Sequence, residues 1–404
     1  MSSQTTMRLA PPALWAVILP AIVWLLSACS SLPSTTELRG TGDLGVVIER
    51  ADGRVKIIET SGRSVLATVD GLGDLSHASV VFSRDAGYAF VFGRDGGLTK
   101  VDLLQAKIVG RVLQAGNSIG GSISHDGRIV VAQNYAPGGV KAFDANTLEL
   151  LSEVPAITED GRRSKVVGLA DLSGNRFIYS LFEAGEIWIT DFSDPKNPRT
   201  ERFAGGNQPY DALVTPDGRH YIAGLFGEDG LAMLDLWNTD KGSRKILAGY
   251  GKGEAPLPVY KMPHLRGWSV AGGRAYLPAI GRHEVLVVDT DSWQEVGRIP
   301  VKSQPVFVMA RPDGREIWVN FAFPENGWVQ VIDTVGGKVT HTLQPGRGIL
   351  HMEFLSKGQE VWMSSRDDNK VVIFDTTTKQ PVGGFDAASP SGIFFTTRAA
   401  RTGF

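Results

Sequence analysis

The chain holds one cysteine, Cys29, in 404 residues. A single thiol excludes an internal disulfide, a cysteine-based zinc cluster and a Cys-x-x-Cys-His site for covalently attached c-type haem, so no haem c is expected. An excess of one charge is also missing. The chain has 41 Lys+Arg against 43 Asp+Glu, a formal net charge of −2. Proteins that live on DNA or RNA usually carry a basic excess, so no nucleic acid is expected as a partner. Helical periodicity is lacking too: beyond residue 45 no segment shows the apolar period of about 3.6 residues that marks an amphipathic helix. There is no Gly-x-Ser-x-Gly elbow and no His-Glu-x-x-His. Gly249-Tyr250-Gly251-Lys252-Gly253 is a weak imitation of a phosphate loop, because no helix follows to hold the anion. What is present is 42% hydrophobic residues, enough for a packed core.

The first residues read as an address. Arg8 is the one charge before a largely apolar stretch, Ala10 to Leu26, and Leu26-Ser27-Ala28-Cys29 follows it. This order of charge, apolar core and small-residue cleavage site is that of a secretory signal. Leu-Ser-Ala-Cys resembles the bacterial lipoprotein box, in which cleavage leaves a lipidated cysteine. The other reading is an uncleaved membrane anchor. The run is shorter than the roughly 20 apolar residues that span a bilayer, and it contains Pro11, Pro12 and Pro20. The expectation is a signal peptide over 1–28, a flexible Ser/Thr-rich tether over 29–43 and a membrane attachment through lipid on Cys29. Ser30 resembles an outer-membrane sorting residue.

From Gly45 onward one unit recurs: an apolar strand, a tight turn, a second strand, a polar turn and a third strand ending in an acid. The first turns include Ser83-Arg84-Asp85-Ala86-Gly87, Thr215-Pro216-Asp217-Gly218-Arg219 and Arg311-Pro312-Asp313-Gly314-Arg315. Asp caps its own backbone there and Gly takes the positive φ. The third strands are expected to end at Glu59, Asp102, Asp144, Asp191, Asp235, Asp289, Asp333 and Asp375, at intervals of 42 to 54 residues. A period of about 45 residues with three to four strands per unit marks a β-propeller. The spacing predicts an all-β, eight-bladed β-propeller over 44–404. The apolar segment from Ser391 is expected to close the ring by pairing with the blade begun near Gly45, because an open array leaves bare sheet edges.

Side chains that do not serve the blade pattern are the candidates for function. His77, His264 and His351 each lie just before or within a first strand, where successive blades converge on the channel. Three imidazoles at one cavity suit a metal or a metallated macrocycle; the alternative is core histidines hydrogen-bonded between blades. His125, His220, His283 and His341 fall in turns or a hairpin and read as surface residues. Arg94 ends a second strand close to His77, and Arg162 and Arg163 precede the segment VVGLAD. Arginine forks suit ligand carboxylates, against the ordinary alternative of surface ion pairs.

The stretch from Gly71 through His77 and Arg94 to Leu103 resembles the start of the d1-haem-binding propeller of cytochrome cd1 nitrite reductase. Further stretches, QPYDAL at 208–213, IAGLFGEDGL at 222–231, PLPVYKMPH at 256–264 and PSGIFFTTR at 390–398, are similar to the NirF family of haem d1 biosynthesis. The resemblance covers the chain after the tether. It implies a periplasmic, lipid-anchored propeller that binds haem d1 or its iron tetrapyrrole precursor. Its implied partners are cytochrome cd1 nitrite reductase and the dehydrogenase of haem d1 assembly. His77 stands where the reductase has its proximal iron ligand, and Arg94 where it has an arginine near the macrocycle carboxylates. His351 stands where the related dehydrogenase has a histidine near its ring. Two distal histidines of the reductase fall near Tyr210 and near Tyr260 or His264. Loss of at least one argues against nitrite reduction. Tyr210 can still hydrogen-bond or move a proton at a ring substituent, with Asp171 as a candidate acid or base beside it or, equally, a turn cap. The candidate set is therefore Asp171, Tyr210 and His264 for chemistry, and His77, Arg94, Arg163, Tyr260 and His351 for cofactor binding, His77 on the metal. Three readings follow: an enzyme late in haem d1 assembly, a non-catalytic carrier, and a docking platform.

Overall fold

A computed structural model describes residues 40–250, 267–279 and 282–401. The leader, Cys29, Tyr260 and His264 lie outside the described residues. Within them, thirty-two strands, β1 to β32 in chain order, form eight four-stranded antiparallel sheets, with only short 3₁₀ turns besides. This is the expected eight-bladed propeller. Among the described residues no helix is long and apolar enough to cross a membrane.

Each acid expected to end a third strand does so. The reason is local. The carboxylate of Asp102 accepts the N–H groups of Leu104 at 3.0 Å and Gln105 at 2.8 Å. Asp375 holds Thr377 at 2.9 Å and Thr378 at 2.6 Å in the same way. Each acid thus offers the backbone a turn in place of more ladder. A fourth, outermost strand follows every turn. In β7 (Lys107–Leu113) no residue is fully buried, so it carries little apolar pattern.

Blade 1 is assembled from both ends of the chain. Its strands run in the order β3 (Ser64–Val69), β2 (Arg54–Glu59), β1 (Leu44–Glu49) and β32 (Pro390–Phe395). Gly45 pairs with Phe395 and Val47 with Ile393, so the C-terminal strand is the innermost of the first blade. The core lies between blades, not within them. At the closing seam Val47, Ile58, Ile393 and Phe395 of blade 1 pack on Trp362, Val371 and Ile373 of blade 8. Burial of each such side chain contributes about 1.5–3 kcal/mol. A device repeats inside this packing. Trp188, Trp318 and Trp362 are fully buried, and each donates its indole N–H to a Glu two residues earlier, at 2.6, 3.1 and 3.1 Å. Side chains two apart share a strand face, so Glu-x-Trp satisfies the one polar atom of the largest core residue.

This connectivity sorts the loops by end. Turns between strands one and two, and three and four, lie at the lower end of the propeller. Loops between strands two and three, and from one blade to the next, lie at the upper end.

Candidate functional site

The innermost strands wall a central channel of about 1720 Å³ that reaches both ends. Its upper part is shaped by irregular backbone. The innermost strands of six blades carry a bulge or register break in their first half, among them β16 (Pro209–Val214), β24 (Pro305–Ala310) and β28 (Ile349–Phe354). A bulge re-aims the side chains on it. Tyr210, Phe307 and His351 lie on the bulged residues of these three strands, and all three line the channel. In β12 (Val166–Leu172) the break passes Gly168, at φ +64°. A Cβ there would come within 2.7 Å of the Ala212 Cβ and 2.8 Å of the Tyr221 hydroxyl, so only glycine fits.

The residue just after the second strand in the ring recurs at the upper rim. Arg50 follows β1, Arg94 follows β5 (Tyr88–Phe92) by two, and Arg366 follows β29 (Glu360–Ser365). Phe182, Phe226 and Phe323 take the place in blades 4, 5 and 7. The rim therefore has a basic arc on blades 8, 1 and 2 and an aromatic arc across from it. His77, half-buried, lines the channel between the loops that carry Arg50 and Arg94. Among the described residues neither arginine makes an ion pair. The nearby acids are committed elsewhere. Asp95 pairs with Arg111 at 2.7 Å, and Asp74 accepts the Ser76 N–H at 2.8 Å. The hydrogen bonds from Ser76 hold the Asp74 carboxyl below its usual range, with smaller help from Arg94 and Arg50. Phe323 is 65% exposed and lines the channel mouth.

On the aromatic arc, the hydroxyls of Tyr135 and Tyr210 lie 2.8 Å apart. Phe182 meets Tyr210 edge-on at 5.6 Å, and Phe226 packs at 5.9 Å. Lys165 sits 4.2 Å over the Phe182 ring and pairs with Glu183 at 2.9 Å. Burial, with Tyr210 and Asp211 adding to it, pushes the Tyr135 phenol far up, so it keeps its proton.

His351 is a channel residue of another kind. Its Nδ1 accepts the Ile393 N–H at 3.3 Å, and its ring lies between Phe394 at 5.5 Å and Phe307 at 6.0 Å. Desolvation pushes its pKa down to about 4. The imidazole is neutral, and with Nδ1 accepting, its proton sits on Nε2.

Two candidates are placed away from this constellation. Asp171 is 1% exposed and does not line the channel. It lies five residues down β12 from Val166, about 16 Å by strand rise, toward the lower end. Its carboxylate pairs with Arg84 at 3.2 Å and accepts the Ser122 hydroxyl at 3.1 Å. Arg84 also donates to the carbonyls of Ser124 at 2.8 Å and Ala399 at 2.8 Å. Asp171 therefore ties blades 2, 3 and 4 to the C-terminal segment; it is neither a turn cap nor a neighbour of Tyr210's hydroxyl. Arg163 is exposed, bridges to Ile157 and does not line the channel. Arg162 forms a surface pair with Asp160 at 2.7 Å. Among the described residues no three His, Cys, Asp or Glu side chains are grouped to hold a bare metal ion.

Arg50, Tyr135, Phe182, Phe226 and Phe323 are not among the residues that stand out in the sequence. One signal was available: superposing the eight repeats puts most of them at one position, directly after the second strand in the ring.

Comparison with known proteins bears on this arrangement. Residues 39–399 match the Cytochrome D1 heme domain family. The chain is 57% identical to Protein NirF of Stutzerimonas stutzeri, over 96% of this chain and 98% of that one. It is 56% identical to Protein NirF of Pseudomonas aeruginosa, over 95% and 98%. Among solved structures it resembles the dihydro-heme d1 dehydrogenase NirN in complex with DHE. There the identity is 25%, the TM-score 0.79, and the match covers 92% of this chain and 79% of the other.

Proposed function

The chain belongs to the Cytochrome D1 heme domain family, on the branch of the NirF proteins, and from that premise we propose that it binds a d1-type tetrapyrrole at the upper mouth of its channel and acts at a late step of haem d1 biosynthesis. One observation carries the reading. Arg50 and Arg94, with no ion pair among the described residues, flank His77 on one side of the mouth, and an aromatic arc with the open Phe323 ring stands across from them. A flat macrocycle with carboxylates on its edge suits that set: arginine forks for the carboxylates, aromatic faces for the ring and an imidazole for the iron. When bound, the group supplies a metal centre. The chain supplies binding and orientation. His77 would hold the iron, Arg94 and Arg50 would hold carboxylates, and the Phe323 ring would exclude water. His351 is unsuited as an iron ligand, since Nδ1 is taken by Ile393 and Nε2 carries the proton. It is instead a donor into the channel.

The test is a titration of the purified protein with haem d1, followed by absorbance. The expected result is a shifted Soret band that His77→Ala alters, with binding weakened about tenfold by Arg94→Ala, the loss of one charge-assisted hydrogen bond. No spectral change on mixing would leave only a docking platform.

A second reading is favoured by Asp171. Its commitment to Arg84 removes one of the acid–base candidates, and a carrier needs only the binding residues. The carrier would hold haem d1 or its precursor and deliver it to the dehydrogenase and the nitrite reductase. Full cofactor production by a Tyr210→Phe strain would favour the carrier over the enzyme. In either reading the protein is proposed to sit in the periplasm on a lipid at Cys29, and a mature N-terminus other than modified Cys29 by mass spectrometry would overturn that placement.

A further inference from the structure

The hydroxyls of Tyr135 and Tyr210 form an isolated pair, 2.8 Å apart, with no second hydrogen-bond partner for either among the described residues. Two hydroxyls carry two protons, and one of these lies between them. The other has to point elsewhere, and the surroundings decide which. Tyr210 lines the channel; Tyr135 stands behind it and does not. If Tyr210 donated to Tyr135, the second proton would sit on Tyr135, half-buried off the channel and with no acceptor among the described residues, which is costly. If Tyr135 donates, the second proton sits on Tyr210 and faces the channel. The edge contact from Phe182 and the packing of Phe226 hold the Tyr210 ring in place, so the direction is built in.

We propose that Tyr135 is a positioning residue that fixes Tyr210 as a hydrogen-bond donor into the channel, selecting ligands with an oxygen acceptor on the ring edge opposite the basic arc. This rests on the tetrapyrrole reading above and deepens it. The arginines recognise the carboxylate edge and Tyr210 recognises a neutral or anionic oxygen on the far side. The ring is thereby held in one of its possible rotations, and the opposite rotation would leave the Tyr210 proton unpaired.

The experiment uses the full chain and its variants Tyr210→Phe, Tyr135→Phe and the double variant, which keep both rings and their packing. Each is titrated with haem d1 and with iron octaethylporphyrin, whose edge carries only alkyl groups. The account predicts that haem d1 affinity falls about tenfold in Tyr210→Phe and about threefold in Tyr135→Phe, as for loss and loosening of one hydrogen bond. The double variant should be no weaker than Tyr210→Phe, because Tyr135 acts only through Tyr210. The alkyl porphyrin, which offers Tyr210 no acceptor, should bind Tyr210→Phe no more weakly than the unmodified protein. Infrared difference spectra should show a C=O stretch of bound haem d1 moving to higher frequency in Tyr210→Phe, a change that general destabilisation does not produce. If the unmodified protein binds haem d1 and Tyr210→Phe matches it in affinity and spectrum, or the two losses add, the proposal is overturned while the tetrapyrrole reading stands. If the unmodified protein does not bind haem d1, both fall.

Discussion

His351 shows how one side chain can serve the fold and face the channel at once. Its folded pKa of about 4 lies below the value of 6.5 in an unfolded chain. Above pH 6.5 both states are neutral and the residue adds no pH dependence. As pH falls below 6.5 the unfolded chain takes up a proton that the folded one refuses, so stability declines until about pH 4 and then levels. The loss amounts to up to about 3 kcal/mol. Thermal midpoints should therefore fall more steeply between pH 6.5 and 4 in the native protein than in His351→Gln. Parallel curves for the two would show that burial does not suppress that charge. Asp171 argues the other way about exposure: a carboxylate that looked available in the sequence is spoken for. Asp171→Ala strands Arg84 among backbone carbonyls and should lower stability by about 2 kcal/mol or more. Haem d1 affinity measured well below the melting temperature should be unchanged. A selective loss of affinity with an unchanged melt would return Asp171 to the site.

At the scale of elements, the strands were legible because their signals are local. The terminal acids mark turns that they themselves cap, and Gly-containing turns mark the hairpins between. Glu-x-Trp was in plain view at 186–188, 316–318 and 360–362. The bulges that turn Tyr210, Phe307 and His351 into the channel were not legible, because a bulge depends on the partner strand and not on composition. Outer strands such as β7 were faint for the opposite reason, having no fully buried residue to set a pattern. Strand β32 carries the closure. Phe395 is 1% exposed and meets Trp362 edge-on at 5.4 Å. Phe395→Ala should cost about 3–5 kcal/mol, read by denaturant unfolding. A cost below about 1 kcal/mol would mean that the seam repacks around the hole.

For the whole molecule, the count of eight blades followed from the repeat alone, and closure followed from the need to pair a bare sheet edge. The candidate site was only half legible. His77, Arg94, Tyr210 and His351 are at the channel; Asp171 and Arg163 are not, and Tyr260 and His264 lie outside the described residues. Asp171 is the next-to-last residue of inner strand β12, and an inner strand runs the length of the channel, so membership in VVGLAD alone does not say which end a residue reaches. Removing residues 389–404 should strip blade 1 of its innermost strand, expose Val47 and Trp362, and abolish a single cooperative melt. An unchanged melting curve after that truncation would contradict the ring closure.

The most direct measurement is a crystal structure of the protein grown with haem d1. The account predicts the iron at the His77 imidazole in the upper mouth, carboxylates on Arg94 and Arg50, and a ring-edge oxygen at Tyr210. A macrocycle lodged at the lower end of the channel, or bound with His77 turned away from its iron, would contradict it.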